Sequence, residues 1–297
     1  MSLIRRSGYV RTLLAAAVTL GALAAPAAAQ DQPSPAASTN AGAIHISGAT
    51  DFTNTYMFRG IRQDDTKVIT WPYFDLGLAL YSGTGGVKSA AVDIGTWNSL
   101  HPGVTGSEGP SGKLWYESDF YATLGLGFGG GVTLGTTYTA YTSPNNMFST
   151  VKEIAFKVSV DDSSRLKQMA LHPWALIGFE VDTAPGQGQA DAGLNAGRYL
   201  ELGVAPGLAA SGASVSVPVK VGVSAANYYE LDGVDHKFGY FSVAPNVTVP
   251  FTSKPTKFGT WNVHGGVEYQ RLGETTKAFN GGDANKFIVV GGIGFTY

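Results

Sequence analysis

The last twelve residues of the chain, Lys286 to Tyr297, alternate with a period of two. Phe287, Val289, Ile293, Phe295 and Tyr297 share one face, and Ile288, Val290, Gly292, Gly294 and Thr296 share the other. That period belongs to an extended strand, whose successive side chains point to opposite sides. The pattern recurs upstream. Phe120, Ala122, Leu124, Leu126 and Phe128 interleave with Asp119, Tyr121, Thr123 and Gly125, and Val215, Val217, Val219, Val221 and Val223 interleave with Ser216, Pro218, Lys220 and Gly222. Strands of this kind separate an apolar medium from a polar or closely packed one.

The composition is 44% hydrophobic, with 40 Gly, 14 Tyr and 15 Phe, and this apolar content is dispersed rather than gathered into helix-length runs. A membrane β-barrel needs that dispersal, because each strand shows lipid one apolar residue and the lumen one small or polar residue. A soluble sandwich or lipocalin-like barrel suits the length too. It would bury one face instead of wrapping an apolar band round every strand. Period-two alternation predicts strands near 43 to 57, 69 to 82, 87 to 99, 114 to 128, 131 to 142, 150 to 160, 170 to 182, 198 to 208, 213 to 228, 238 to 250, 258 to 271 and 286 to 297. Twelve is even, as a closed barrel with both termini in the periplasm requires. The connections alternate between mostly tight turns, such as Gly129-Gly130, and longer segments at 58 to 68, 100 to 113, 143 to 149, 183 to 197, 229 to 237 and 272 to 285. The predicted fold is all-β, a transmembrane antiparallel up-and-down barrel of about twelve strands.

At the other end, Arg5, Arg6 and Arg11 precede an apolar run from Leu13 to Ala25 and the small-residue stretch Ala27-Ala28-Ala29. This is the pattern of a secretory signal peptide over residues 1–29, cleaved before Gln30. Residues 30–42 read as a Pro/Ala/Ser-rich periplasmic tether, and 43–297 as the barrel. Cleavage removes three of the 20 basic residues and none of the 22 acidic ones, taking the formal charge from −2 to −5. The acidic balance argues against nucleic acid as a partner. With no cysteine there is neither a disulfide framework nor a thiolate metal site. The expected location is the bacterial outer membrane, with lipid and lipopolysaccharide as surroundings. Gly292 and Phe295, five and two residues before Tyr297, resemble the terminal signal read by the outer-membrane assembly machinery, with Val290 at its usually polar opening position.

Several motifs of other protein classes occur within this frame. Gly125, Gly127 and Gly130 spell the dinucleotide fingerprint, but the strand VTLGTTYTAY follows where a helix is needed to hold a pyrophosphate, so a hairpin turn is expected. His45 and Ser47 form an H-x-S pair resembling one in outer-membrane lipid A deacylases. With Ile44 and Ile46 toward lipid, the pair points into the lumen at the periplasmic end, the wrong face and depth for lipid A. His264 and Glu268 share a lumen face, yet four residues of strand set them roughly 13 Å apart, too far to share one ion unaided. His172, before Pro173, reads as a periplasmic-rim residue. No Ser/His/acid constellation is visible from spacing alone.

The most distinctive string is Thr55-Tyr56-Met57-Phe58-Arg59-Gly60-Ile61-Arg62-Gln63. It resembles the S-x-Y-x-x-R-G-x-x-Q opening of an uncharacterised proteobacterial barrel family often labelled Gcw_chp, with a looser echo in Ala91 to Ser99. The resemblance implies a barrel of this size and no settled activity. Tyr56 and Phe58 are expected in the outer aromatic girdle. Arg59 then lies either at a pore constriction or ligand mouth, or at the rim, pairing with lumen carboxylates such as Asp51 or Asp75.

Sorted by facing, Asp51, Asp75, Asp93, Glu117, Asp119, Glu153, Glu180, Asp182, Glu201 and Glu268 point inward, against Arg59, Lys157, Lys220 and Lys286. Such an acid-rich lumen favours cations if open, and long side chains can plug a barrel this narrow. The candidate pore residues are Asp51, Arg59, Asp75, Asp93, Asp119, Lys220, His264 and Glu268. The expected function is a porin-like channel or transport-related pore for small solutes, without enzymatic activity or cofactor. The alternative is a closed barrel that binds a surface partner or supports the envelope, and a lipid-modifying enzyme stands third.

Overall fold

A backbone crossing lipid finds no water to bond, so every N–H and C=O must be paired within the protein. The computed structural model, which describes residues 42–107, 113–182, 190–191, 193, 195–210, 212–251 and 257–297, meets that demand with twelve antiparallel strands. They are β1 (Ile44–Thr53), β2 (Ile69–Ser82), β3 (Val87–Leu100), β4 (Trp115–Phe128), β5 (Val132–Thr142), β6 (Val151–Val160), β7 (Trp174–Val181), β8 (Arg198–Val204 with Gly207–Ala210), β9 (Ala213–Ser216 with Val219–Ala226), β10 (Phe238–Val243 with Asn246–Pro250), β11 (Thr260–Leu272) and β12 (Asn285–Thr296). Each strand pairs with its sequence neighbours, and β12 returns to β1 from Ser47↔Thr296 to Thr53↔Val290. The terminal residue takes part, since Tyr297 N–H donates to Ile46 O at 2.7 Å and Ile46 N–H to Tyr297 O at 2.9 Å. The expected signal peptide and residues 30–41 of the tether lie outside the described residues.

Three consecutive strands are split at the same motif: Ala205-Pro206 in β8, Val217-Pro218 in β9 and Ala244-Pro245 in β10. Proline has no N–H to give the ladder, so each interrupts its strand. The proline carbonyls still accept, from Val217 N at 2.9 Å, Ala244 N at 2.9 Å and Val267 N at 3.1 Å. The wall therefore stays closed across the row, and the inward-outward alternation passes through it unchanged.

Facing follows the sequence pattern. Phe120, Leu124, Val215, Val263, Val267, Phe287, Val289 and Ile293 are exposed on the outside, where lipid would cover them. Trp261 stacks on Phe295 with centroids 5.3 Å apart near one end of the seam, and Tyr269 packs on Phe287 at 5.2 Å near the other. Eight residues separate Trp261 from Tyr269, roughly 27 Å of strand, in keeping with an apolar band of about 25 Å once tilt is allowed for.

The main departure from expectation lies just after β1, which ends at Thr53 instead of running to residue 57. The segment expected to form the first outer loop turns inward as a hairpin, Tyr56–Phe58 paired with Ile61–Asp64. Tyr56, Met57, Phe58, Arg59 and Ile61 are all buried, so the two aromatics sit inside the barrel and not in an outer girdle. The two-residue turn is Arg59-Gly60, with φ of 48° and 83°. Positive φ at both positions is what a type I′ hairpin turn demands. Glycine accepts it without strain, whereas arginine there is uncommon. A Cβ on Gly60 would also meet Tyr240 at 3.1 Å and Thr276 at 3.2 Å.

An aspartate replacing Phe295 places a charge on the lipid face of the closing pair, which costs up to a few kcal/mol depending on depth. F295D should sharply lower the fraction that inserts and migrates as a compact, heat-modifiable band on gels. F295L should insert nearly normally, and equal insertion of both variants would show that the β12 lipid face does not contribute to closure.

Candidate functional site: the plugged lumen

Arg59 is the anchor of the inward hairpin. Its guanidinium grips Glu153 of β6 with both terminal nitrogens, at 2.6 and 2.8 Å, and donates to the Tyr228 hydroxyl at 3.0 Å. It lies 3.9 Å from the ring centroid of Tyr199 on β8. Such a fork-on-carboxylate pair is strong and directional, and cation–π contact adds to it where water is excluded. The hairpin backbone is held as well. Tyr229 Oη donates to Arg59 O at 2.9 Å, and Asn280 Nδ2, just past helix α1 (Glu274–Phe279), donates to Gly60 O at 2.8 Å. Tyr116 of β4 donates to Gln63 at 2.6 Å. These anchors come from several sides of the barrel, which places the hairpin within the lumen as a plug.

Two aromatic clusters fill the space around it. Tyr56 and Phe58 pack with Trp71, Trp97, Tyr116, Tyr121 and Tyr141, and Met57 and Ile61 pack with Leu176, Tyr199, Tyr228, Tyr229, Tyr240 and Leu272. The outer part of the lumen is thus a packed core. Alternation leaves Arg59 at a constriction or ligand mouth, or at the rim paired with Asp51 or Asp75; its partner is Glu153. Alternation predicts facing but not which inward residues meet across a barrel.

A second set of bonds ties the far end of the hairpin to the wall and to the loop after β3. Trp71 Nε1 donates to Ser99 Oγ at 3.0 Å, and Ser99 Oγ lies 2.7 Å from His101 Nε2. His101 Nδ1 lies 2.7 Å from Thr105 Oγ1, and that hydroxyl donates to Asp64 Oδ2 at 2.8 Å. With the His101 proton on Nδ1, every group in the chain donates one step toward Asp64. Thr66 completes the Asp64 shell through its N–H and hydroxyl, at 2.9 and 2.7 Å. His101 stacks on Tyr116 at 4.1 Å. Burial draws its imidazole down to about 4, against the opposing pull of Asp64. Burial pushes the Asp64 carboxyl up, but hydrogen bonds from Thr66 and Thr105 outweigh it and hold the group below the ordinary carboxylate value.

Ser99, His101 and Asp64 have the order of a nucleophile, base and acid, with His101 Nδ1 3.4 Å from Asp64 Oδ2, a constellation that sequence spacing did not reveal. The visible signal was Ser99-x-His101 at the end of one strand. The acid arrives from the folded-in hairpin, 35 residues earlier. Ser99 and His101 are both fully buried, and Ser99 Oγ already accepts the Trp71 proton. The arrangement acts as a latch.

The other candidate residues line the lumen beyond the plug. Asp51 lies 2.7 Å from His264 Nε2, and His264 Nδ1 lies 2.9 Å from Asn262. Glu268 instead accepts from Ser242 at 2.5 Å and Gln270 at 2.8 Å, so His264 and Glu268 serve separate partners. Tyr121 donates to Asp75 at 2.7 Å, and Asp93 stands across from Gly77 on the neighbouring strand. Lys220 is buried and faces Glu201, which accepts from Trp174 and Tyr199, both at 2.9 Å. Asp119 is buried beneath the hairpin, opposite Trp97 and Tyr141. Two residues expected inside are elsewhere. Asp182, at φ 54°, turns out to an exposed pair with Lys152, and Lys286 sits at the rim between Asp65 and Asp283. Among the described residues, no group of three or more His, Asp and Glu side chains is placed to hold a metal. The glycine-rich string forms a turn at Gly129–Gly131, as expected, with strand on both sides.

No protein-family model and no curated protein matches the chain. Among solved structures it is similar to outer membrane phospholipase A from Escherichia coli, at 12% identity over 84% of this chain and 92% of that one, TM-score 0.46. It is also similar to an outer membrane channel from Pseudomonas putida F1, at 12% identity over 86% and 94%, TM-score 0.49. A third is the translocator domain of the autotransporter NalP from Neisseria meningitidis, at 12% identity over 87% and 89%, TM-score 0.41. An enzyme, a channel and a translocator stand side by side among these, and the likeness selects none of their functions.

Two outcomes follow. Removing one partner of a buried ion pair costs about 3–5 kcal/mol, so R59A and E153A should each free the hairpin, read as faster amide exchange over residues 56–64. R59K should rescue poorly, since lysine lacks the planar fork. Both His101 and Asp64 bind protons more weakly here than in an unfolded chain. The latch is therefore at full strength above about 6.5, the ordinary imidazole value, and weakens as pH falls toward 4. H101N should flatten the pH dependence of thermal stability in that window, and an unchanged slope would exclude the latch.

Proposed function

We propose that the protein is an outer-membrane barrel that stands closed, a transport-related pore whose inward hairpin is its gate. The observation that carries this reading is the hairpin itself, held by Arg59 on Glu153 and by the Asp64 relay. A hairpin attached at both ends, with its own hydrogen bonds, can leave as a unit without opening the wall. Beyond it, Asp51, Asp75, Asp93 and Glu268 give the lumen an acidic lining, which supports a preference for small cations once the gate is open. The full burial of Ser99 and His101 favours transport over lipid hydrolysis. The second reading is a permanently closed barrel serving the envelope, favoured by the size of the aromatic clusters around the hairpin.

The test is planar-bilayer recording. Wild-type protein should be nearly silent, and deletion of residues 55–65 should give steady conductance with a cation-preferring reversal potential in a salt gradient. Adding D75N and D93N should move that potential toward zero, less so at high salt, where screening is stronger. A folded deletion variant that conducts nothing would favour the envelope reading.

A further inference from the structure

Glu117 and Asp119 are two residues apart on β4, so both point inward beneath the hairpin, and both are buried. On that shared face the two carboxyl groups lie against each other. Two ionised carboxylates have only acceptors and cannot bond each other. Apart from the Thr142 backbone on the neighbouring strand, Asp119 meets no donor and no cation. The hydroxyl of Tyr56, on the hairpin, is turned toward Glu117, and the indole N–H of Trp97, across from Asp119, has no acceptor.

The surrounding elements supply no compensating charge. Across β3, Glu117 faces Ser99 and Asp119 faces Trp97. On β5, Asp119 faces Tyr141, which also borders Glu153 and Arg59. The hairpin brings Tyr56, whose ring also touches His101 and Tyr116, and Arg59, whose guanidinium is engaged by Glu153. Two adjacent buried negative charges without a cation are too costly to persist. A proton held between two carboxyls removes one charge and supplies the missing donor, the solution seen wherever carboxyl groups are pressed together.

We propose that Glu117 and Asp119 share one proton, and that this proton keeps the hairpin seated, making the gate alkali-sensitive. The regulation rests on the gated-pore reading; the shared proton does not. When hydroxide removes the proton as water, two like charges face each other against the hairpin, and Tyr56 and its neighbours are driven off the wall.

Infrared spectroscopy of the full-length protein in lipid vesicles tests the pair directly. A protonated-carboxyl C=O band should be present at neutral pH, shift in heavy water and vanish on alkaline titration. E117Q and D119N should each remove it, so the test survives if one variant fails to fold. Because the chain has no cysteine, M57C reports hairpin exposure. Its labelling should rise several-fold more with pH than in an E117Q/M57C background, which corrects for the thiol's own ionisation. Absence of the band, its survival in both variants, equal labelling in the two backgrounds, or carboxylate bands that shift when a chelator removes bound metal would each overturn the proposal. A titrating band and pH-dependent labelling in the full-length protein, together with a barrel lacking residues 55–65 that never conducts, would retire the pore reading and leave the proton pair in place.

Discussion

Hydrocarbon cannot accept a hydrogen bond, and the whole architecture depends on that fact. Ladder pairing must close on itself, so β12 meets β1 residue by residue, down to the bonds between Ile46 and Tyr297. The three proline breaks in β8, β9 and β10 are tolerable because each proline carbonyl still finds a donor on the next strand. Closure also fixes which residues are interchangeable. Lipid asks only for apolar surface, whereas the inward face must fill or hydrate an enclosed space.

That space is packed with tyrosine and tryptophan and threaded by charge. Inside the barrel a large ring offers bulk for filling the lumen, and its polar edge satisfies buried groups. Tyr228 and Tyr229 illustrate both roles, closing on the hairpin while donating or accepting at Arg59. The strained φ of Arg59 belongs to the same design. A residue at the tip of a type I′ turn projects away from its own hairpin, which lets the guanidinium reach Glu153 on the opposing wall. Strain of this kind persists only where the surroundings over-determine it, and here five independent contacts do so.

The strands were legible in the sequence because lipid imposes a period of two on every one of them, and the expected ranges differ from the observed ones mostly at their ends. What alternation cannot express is long-range meeting. Nothing local distinguishes Glu153 from Asp51 or Asp75 as the partner of Arg59, since all three point inward. The string from Thr55 to Gln63 was recognisable as unusual, and Arg59-Gly60 is a plausible turn, but whether a loop folds outward or into a lumen depends on the volume available there. Likewise Ser99-x-His101 became part of a relay only when the hairpin delivered Asp64.

The plug lies between the first and second strands of the chain, yet it is fastened by Glu153, Tyr199, Tyr228, Tyr229 and Asn280, which follow by roughly 90 to 220 residues. Contacts that close such long stretches of chain form late, because the intervening segment must be ordered first. The earliest-made loop is therefore the last to find its place.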